Sequence, residues 1–387
     1  MNREKLWHKP GELLRESRDR SLTSDELLEI KSGNFYLSVI FLEKLKGPKE
    51  QNKKRAAGVA LNLLREYDTI EDSLHKRRDK IDLMDRLQYC VSEVARRGPE
   101  EDIEDLVNNG DLKKITEEVL RGVSNKEERV FVEHFGMGVV LREMRGLERR
   151  VQESINSCMS KMIVGMKNFL KVEELTLESE LQTYCYYVAG SIGEFFTELV
   201  NITDKQNLNS QKAKYFGEFL QLTNIIADIK KDSSEGRIYF PSLLCPSNLK
   251  GKKLVTSKEP EAGRARSLIF KDMISLVKNN FTYSIEYVAS IPNELSGYKA
   301  FCLVPFIAAS ETIKRMSRAG AKRVFAGNKS AIRLPYGLST IGEFTEAIVK
   351  PENNKLDNWL SSYLDNPDNF SFEPKHYSRW SREWIDV

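Results

Sequence analysis

Cysteine is scarce: Cys90, Cys158, Cys185, Cys245 and Cys302 lie far apart, odd in number and without a Cys-x-x-Cys pair. That argues against a disulfide framework or a zinc site and fits thiols kept reduced in a cytosolic compartment. The four histidines, His8, His75, His134 and His376, are also widely separated, which favours isolated surface or core roles over metal ligation. No apolar run is long enough to cross a bilayer, and Ala300 to Ala309 falls well short. The opening Met1-Asn2-Arg3-Glu4-Lys5 leads into charged sequence rather than into the apolar stretch of a leader peptide. Excess charge is missing too: a net +3 on 387 residues gives no reason to expect nucleic acid as a partner. A monomer is expected, located in the cytoplasm or peripheral to a membrane.

What is present is helix. Apolar residues recur with helical spacing near 35 to 46, 51 to 75, 79 to 96, 127 to 169, 178 to 202, 210 to 232, 260 to 291 and 297 to 318. Strand-like alternation is scarce, and no Asn-Gly or Asp-Gly turn separates alternating runs, so the fold class is all-α. Residues 1–30 read as an N-terminal arm in which Ser24 is placed to cap Asp25-Glu26-Leu27-Leu28. Residues 31–340 read as one helical domain, interrupted by a Pro, Gly and Lys-rich loop near 241 to 259 and by Gly320, Gly327, Pro335 and Gly337. Residues 341–387, with Trp359, Trp380 and Trp384, form an appendage.

Two pairs of aspartates carry the chemistry. Asp68 and Asp72, like Asp228 and Asp232, are spaced i, i+4, which places both carboxylates of a pair on one helix face. Oxygen donors of this kind suit Mg²⁺, which keeps several waters and is usually shared between one or two carboxylates and a substrate phosphate. The bland alternative, a solvated acidic face, is common for a single pair. Around Asp228 it loses ground, because Gln221, Asn224, Asp228 and Asp232 form one polar stripe while Leu222, Ile225, Ile226 and Ile229 fill the remainder. Arg65 lies three residues before Asp68 and Arg237 just after the second helix. Each is placed either to neutralise a carboxylate or to meet an anion.

Two further features ask for a cause. Gly190 and Gly193 interrupt Tyr184-Cys185-Tyr186-Tyr187-Val188-Ala189-Gly190-Ser191-Ile192-Gly193, and each glycine inside a helix costs about 1 kcal/mol against alanine. Close approach of another helix or of a bulky ligand would supply the reason. Tyr184 is then either a core residue or a group beside a diphosphate site. Pro305, in Phe301-Cys302-Leu303-Val304-Pro305-Phe306, bends a helix either to shape an apolar pocket or as a packing kink.

Together these segments resemble the squalene and phytoene synthase family of head-to-head prenyl synthases. The likeness rests on Arg65 to Asp72, on Tyr184 to Gly193 and on Phe219 to Pro241, and covers about 30 to 335. It implies an isoprenoid synthase helical fold around a central cavity, capped by acidic motifs facing each other across Mg²⁺ and a prenyl diphosphate. By carry-over Asp68, Asp72, Asn224, Asp228 and Asp232 hold the metal and diphosphate, and Gln221, Arg65 and Arg237 contact substrate. Tyr184 lies next to the reacting carbons, and Phe301 and Pro305 line the pocket. Val324 to Arg333 is similar to a reduced-nicotinamide segment, with Lys329 and Arg333 as candidate NADPH contacts.

The resemblance points to condensation of two farnesyl diphosphates through presqualene diphosphate to squalene. The hydrocarbon product is the reason to expect peripheral membrane association. Two alternatives stay open: a phytoene, dehydrosqualene or presqualene-diphosphate enzyme without NADPH, and a non-catalytic prenyl-lipid-binding relative. Three departures bear on them. Ser32-Gly33-Asn34-Phe35 lacks the usual basic residue, Leu61 stands where a tyrosine is common, and Ala227 where an arginine often is.

Overall fold

The computed structural model describes residues 20–31, 48–98, 101–108, 110–172 and 174–332, with positions 38, 39, 42 and 345. Gly33, Arg333 and nearly all of the appendage lie outside the described residues. Among the described residues every regular element is helical and none is a strand. The chain forms two compact units, Met1–Leu170 and Lys171–Val387.

The first unit contains α1 (Ser24–Lys31), α2 (Pro48–Asp72), α3 (Arg77–Arg96), α4 (Glu104–Val107), α5 (Asp111–Gly122), α6 (Lys126–Phe135), α7 (Val139–Arg145) and α8 (Arg149–Leu170). The middle of α2 is buried on all sides from Ala56 through Leu64. A polar node fixes its azimuth. The Tyr67 hydroxyl donates to Gln88 Oε1 at 2.9 Å, and Gln88 Nε2 donates to Asn156 Oδ1 at 2.8 Å and Ser160 Oγ at 2.9 Å, joining α2, α3 and α8.

Two expectations need correction in this unit. The cap of α1 is Thr23 rather than Ser24. Thr23 Oγ1 accepts from the Glu26 backbone N–H at 3.3 Å while Glu26 Oε2 accepts from the Thr23 N–H at 2.8 Å, a reciprocal pair that satisfies the helix start. Ser24 instead docks α1 on its neighbour, since Asn62 Nδ2 of α2 donates to its hydroxyl at 2.7 Å and to its carbonyl at 2.9 Å. The expected helix over 127 to 169 is three helices. Gly138 takes φ +75°, and a side chain there would strike Val107 Cγ1 at 2.2 Å, so the chain turns where α6 gives way to α7.

The second unit contains α9 (Glu178–Cys185), a π turn (Tyr186–Gly190), α10 (Ser191–Asp204), α11 (Ser210–Ser234), α12 (Gly251–Thr256), α13 (Pro260–Ser290), α14 (Ser296–Phe325) and α15 (Lys329–Ile332). Helix α11 is its axis, packed against the π turn, α10, α13 and α14. Aromatic rings fill the junction, with Phe281 5.5 Å from Phe219 and 5.4 Å from Phe306. Helix α12 occupies part of the expected 241 to 259 loop, and the helical stretch to Phe325 is broken as expected at Gly320, where φ +74° and ψ 166° put a kink between two helices.

The paired glycines have a cause. A Cβ on Gly193 would lie 2.2 Å from the Ala213 carbonyl oxygen, and one on Gly217 of α11 would lie 2.1 Å from the Ala189 carbonyl oxygen. Backbone packs on backbone along this seam, so the reason is a neighbouring helix. Gly217→Ala is therefore expected to destabilise the protein by about 1 to 3 kcal/mol, since neither helix can yield without shifting its main chain. Urea unfolding measures this, and an unchanged midpoint would contradict the seam.

Candidate active site

Each acidic ridge ends a long helix. On α2, Tyr67 and Ile70 are fully buried and Glu66 and Glu71 nearly so, leaving Arg65, Asp68 and Asp72 as the face that reaches outward. Arg65 Nη1 lies 2.8 Å from Asp68 Oδ2, so this arginine neutralises a carboxylate of its own ridge. Asp72 closes the helix and is exposed. The ends of the turn after it are tied back, Ser73 Oγ to the Ile70 carbonyl at 2.8 Å and Lys80 Nζ to the Glu71 carbonyl at 2.6 Å.

On α11 the expected division holds. Leu222, Ile225, Ile226 and Ile229 are buried, while Asn224 and Asp228 are exposed and Gln221 is half-buried. Asp232 differs from its neighbours because it is only 9% exposed. The chain doubles back after it: the Arg237 N–H donates to the Asp232 carbonyl at 2.8 Å, and Arg237 Nη2 reaches Asp232 Oδ1 at 2.8 Å and also Glu235. Burial nevertheless pushes the Asp232 carboxyl up to about 6, with Asp228 adding to the rise and Arg237 opposing it. Desolvation outweighs the arginine.

The remaining candidates fall into three groups. Tyr184 is buried and stacks on Tyr239, ring centroids 5.0 Å apart and planes 24° apart, with its hydroxyl donating to that of Tyr239 at 3.4 Å. The tail carrying Arg237 thus also carries the lid of Tyr184. Phe301 packs 4.7 Å from Phe196 and stacks on Tyr298 at 5.9 Å, and the Tyr298 hydroxyl continues through Tyr287 at 2.7 Å to Thr197 at 2.6 Å. Pro305 is half-buried one turn further along α14. Lys329 is exposed on the corner after α14, where a Cβ on Gly327 would come 3.0 Å from Lys230 Cγ, so this corner sits against α11.

Each ridge by itself offers oxygen donors of the kind that suits Mg²⁺, Asp68 and Asp72 on α2 and Asn224, Asp228 and Asp232 on α11. Among the described residues no three His, Cys, Asp or Glu side chains gather as a cage for one ion. Magnesium shared with a diphosphate needs only one or two protein carboxylates.

Two residues escaped sequence reasoning. Tyr239 carries no signal beyond its place after Arg237. Glu218 does carry one, a carboxylate inside the apolar run Phe216 to Phe219. It is 4% exposed, accepts from Asn280 Nδ2 at 3.3 Å, and its Cγ would touch a Cβ on Gly190 at 3.3 Å.

The fold matches solved structures of prenyl synthases. A structure of TcSQS with the ligand BPH1237 superposes with a TM-score of 0.58 over 93% of this chain and 99% of that chain, at 18% identity, which is a likeness of fold. The squalene/phytoene synthase family model matches residues 32–335, and the chain belongs to that family. Squalene synthase of Cyberlindnera jadinii is 27% identical over 200 residues, covering 49% of this chain and 44% of the relative. That of Homo sapiens is 27% identical over 194 residues, covering 49% and 45%. The matches therefore span less than half the length of these relatives.

Glu218 gives a pH test of the seam beside this site. Burial lifts its carboxyl from 4.5 to about 7, Glu194 lifts it further, and Lys214 and Asn280 pull it down. An acid raised on folding keeps its proton longer in the folded state, so stability is full below pH 4.5 and falls as pH rises towards 7. The loss is of order 3 kcal/mol. Glu218→Gln is expected to match the parent near pH 5 and to exceed it at pH 8 in urea unfolding. Parallel pH profiles for the two proteins would contradict the assignment.

Proposed function

We propose that the chain condenses two farnesyl diphosphates head to head, through presqualene diphosphate, to squalene, with Mg²⁺ and NADPH. The observation that carries this is the repeated design of α2 and α11, each with an arginine holding one carboxylate of an i, i+4 aspartate ridge. Each ridge offers the one or two carboxylates that Mg²⁺ shared with a diphosphate needs. Bound Mg²⁺ would withdraw charge from the departing diphosphate.

The chain's own residues do the rest. Asp68, Asp72, Asn224, Asp228 and Asp232 orient the leaving group, and Gln221 on the same ridge contacts it. Arg65 and Arg237, already beside carboxylates, stabilise the negative charge that develops on the diphosphate oxygens. Tyr184 and Phe301 present ring faces to the allylic cation left behind and exclude water from it, with Pro305 shaping the same wall. The base is either the released diphosphate or Tyr184, whose hydroxyl is hydrogen-bonded to that of Tyr239. NADPH, when bound, would supply the hydride. Exposed Lys329 beside α11, with Lys322 and Arg323 on the preceding helix, suits its phosphates, and Arg333 lies outside the described residues. Among the described residues no helix is long and apolar enough to cross a membrane.

One rival has an observation behind it. Leu61 is 1% exposed and Ala227 has no charge, so two groups commonly found near the diphosphate are missing. A relative that binds prenyl diphosphates without turning them over would tolerate those changes. Four retained aspartates weigh against it.

Incubation with farnesyl diphosphate, with and without Mg²⁺ and NADPH, and mass analysis of products separates these readings. Squalene is expected only with both additions, and presqualene diphosphate with Mg²⁺ alone. Asp72→Asn and Asp228→Asn are each expected to lower turnover about 10² to 10³-fold. Metal-independent turnover, or full activity in either variant, would overturn the proposal.

A further inference from the structure

Both acidic ridges stand at the end of a helix that suits a diphosphate least. Asp68 and Asp72 close α2, and Asp228 and Asp232 lie in the last two turns of α11. A helix ends in unpaired carbonyls, equivalent to about half a negative charge, which draw cations and repel anions. Carboxylates placed there add to the repulsion. A metal ion is favoured at such an end, whereas a diphosphate needs further positive charge beside it.

At α11 that charge is Arg237. It follows the helix and folds back on the last turn, its N–H on the Asp232 carbonyl at 2.8 Å and its Nη2 on Asp232 Oδ1 at 2.8 Å. Helix α2 has a counterpart in Lys80, in the first turn of α3. This lysine also follows its ridge in the chain and reaches back, donating from Nζ to the Glu71 carbonyl at 2.6 Å. Glu71 is nearly buried and is joined to Asp72, so the ammonium is held on the main chain of the ridge itself. Arg65 stands two turns before the helix end and meets Asp68 instead.

The placement is specific to this residue. Lys76, Arg77 and Arg78 are exposed, and of the lysines and arginines from 76 to 80 only Lys80 is half-buried. Helix α3 is itself fixed against α2 by Gln88, which accepts from the Tyr67 hydroxyl at 2.9 Å. The two contacts from α3 thus fall on Tyr67 and Glu71, the residues that immediately precede Asp68 and Asp72. Lysine at a helix C-terminus both satisfies a carbonyl and opposes the negative end of the dipole.

We propose that Lys80 is a positioning residue for diphosphate at the first ridge, the counterpart of Arg237 at the second. Held on the Glu71 carbonyl, its ammonium offsets the negative end of α2 and lets an anion approach a metal ion there. This rests on the reading of the ridge as a metal and diphosphate site.

The test is calorimetric titration of the full chain with Mn²⁺ alone and with inorganic diphosphate in the presence of Mn²⁺, thermal unfolding serving as the check on the fold. Lys80→Met is expected to weaken diphosphate binding about tenfold or more while Mn²⁺ alone binds at least as tightly as in the parent. Lys80→Gln, which keeps an N–H donor and loses the charge, is expected to behave like Lys80→Met, and Lys80→Arg to restore binding. A residue that only fastened the helix end would lose Mn²⁺ and diphosphate together. That joint loss, parent affinity for diphosphate in both neutral variants, or no recovery in Lys80→Arg would overturn the proposal and leave the ridge reading standing. A parent without metal-dependent diphosphate binding would overturn both.

Discussion

The close approach of α11 to the π turn at Gly217, where a Cβ would lie 2.1 Å from the Ala189 carbonyl oxygen, constrains the packing of the second unit. A helix that lies backbone to backbone against its neighbour cannot roll, because no side chain there is able to rearrange. With α11 held at Gly217 and again through Ala213 against Gly193, its apolar sides meet α13 and α14 and the polar ridge takes the one azimuth left. Phe219, Phe281 and Phe306 fill the opposite side. The ridge is thus a consequence of packing elsewhere along the helix.

Both ridges answer the same electrostatic problem. Two carboxylates one turn apart repel each other, and each helix meets this with one arginine on one of the two acids, Arg65 on Asp68 and Arg237 on Asp232. The local balance differs. Asp68 is half-buried and Asp232 nearly inaccessible, and at Asp232 burial raises the carboxyl despite its arginine. A cation arriving at Asp232 would compete with both a proton and a guanidinium, whereas Asp72 and Asp228 are the exposed carboxylates of their own ridges.

Much of this was legible in the sequence. Periodicity gave most of the long helices but not α4, α5 or α12, and the helix expected near 35 to 46 lies almost wholly outside the described residues. The i, i+4 spacing gave both ridges, and the glycines at 190 and 193 announced a close approach. The features that escaped were set at a distance. The turn at Gly138 depends on Val107, the cap at Thr23 left Ser24 for Asn62 of α2, and the π turn at Tyr186–Gly190 sits where the chain accommodates the seam with α11. The stacking of Tyr239 on Tyr184 likewise depends on how the tail after α11 folds back. Local pattern does not encode such partners, and neither Glu218 nor Tyr239 belongs to a repeating motif that would betray it.

The central proposal is that each acidic ridge contributes to holding a diphosphate through Mg²⁺. Calorimetry of inorganic diphosphate binding in the presence of Mn²⁺, on the parent and on Asp68→Asn and Asp228→Asn separately, tests it without requiring turnover. Metal-dependent binding by the parent, weakened about tenfold or more in each variant, is the predicted result. Binding that needs no metal, or parent affinity in either variant, would contradict it.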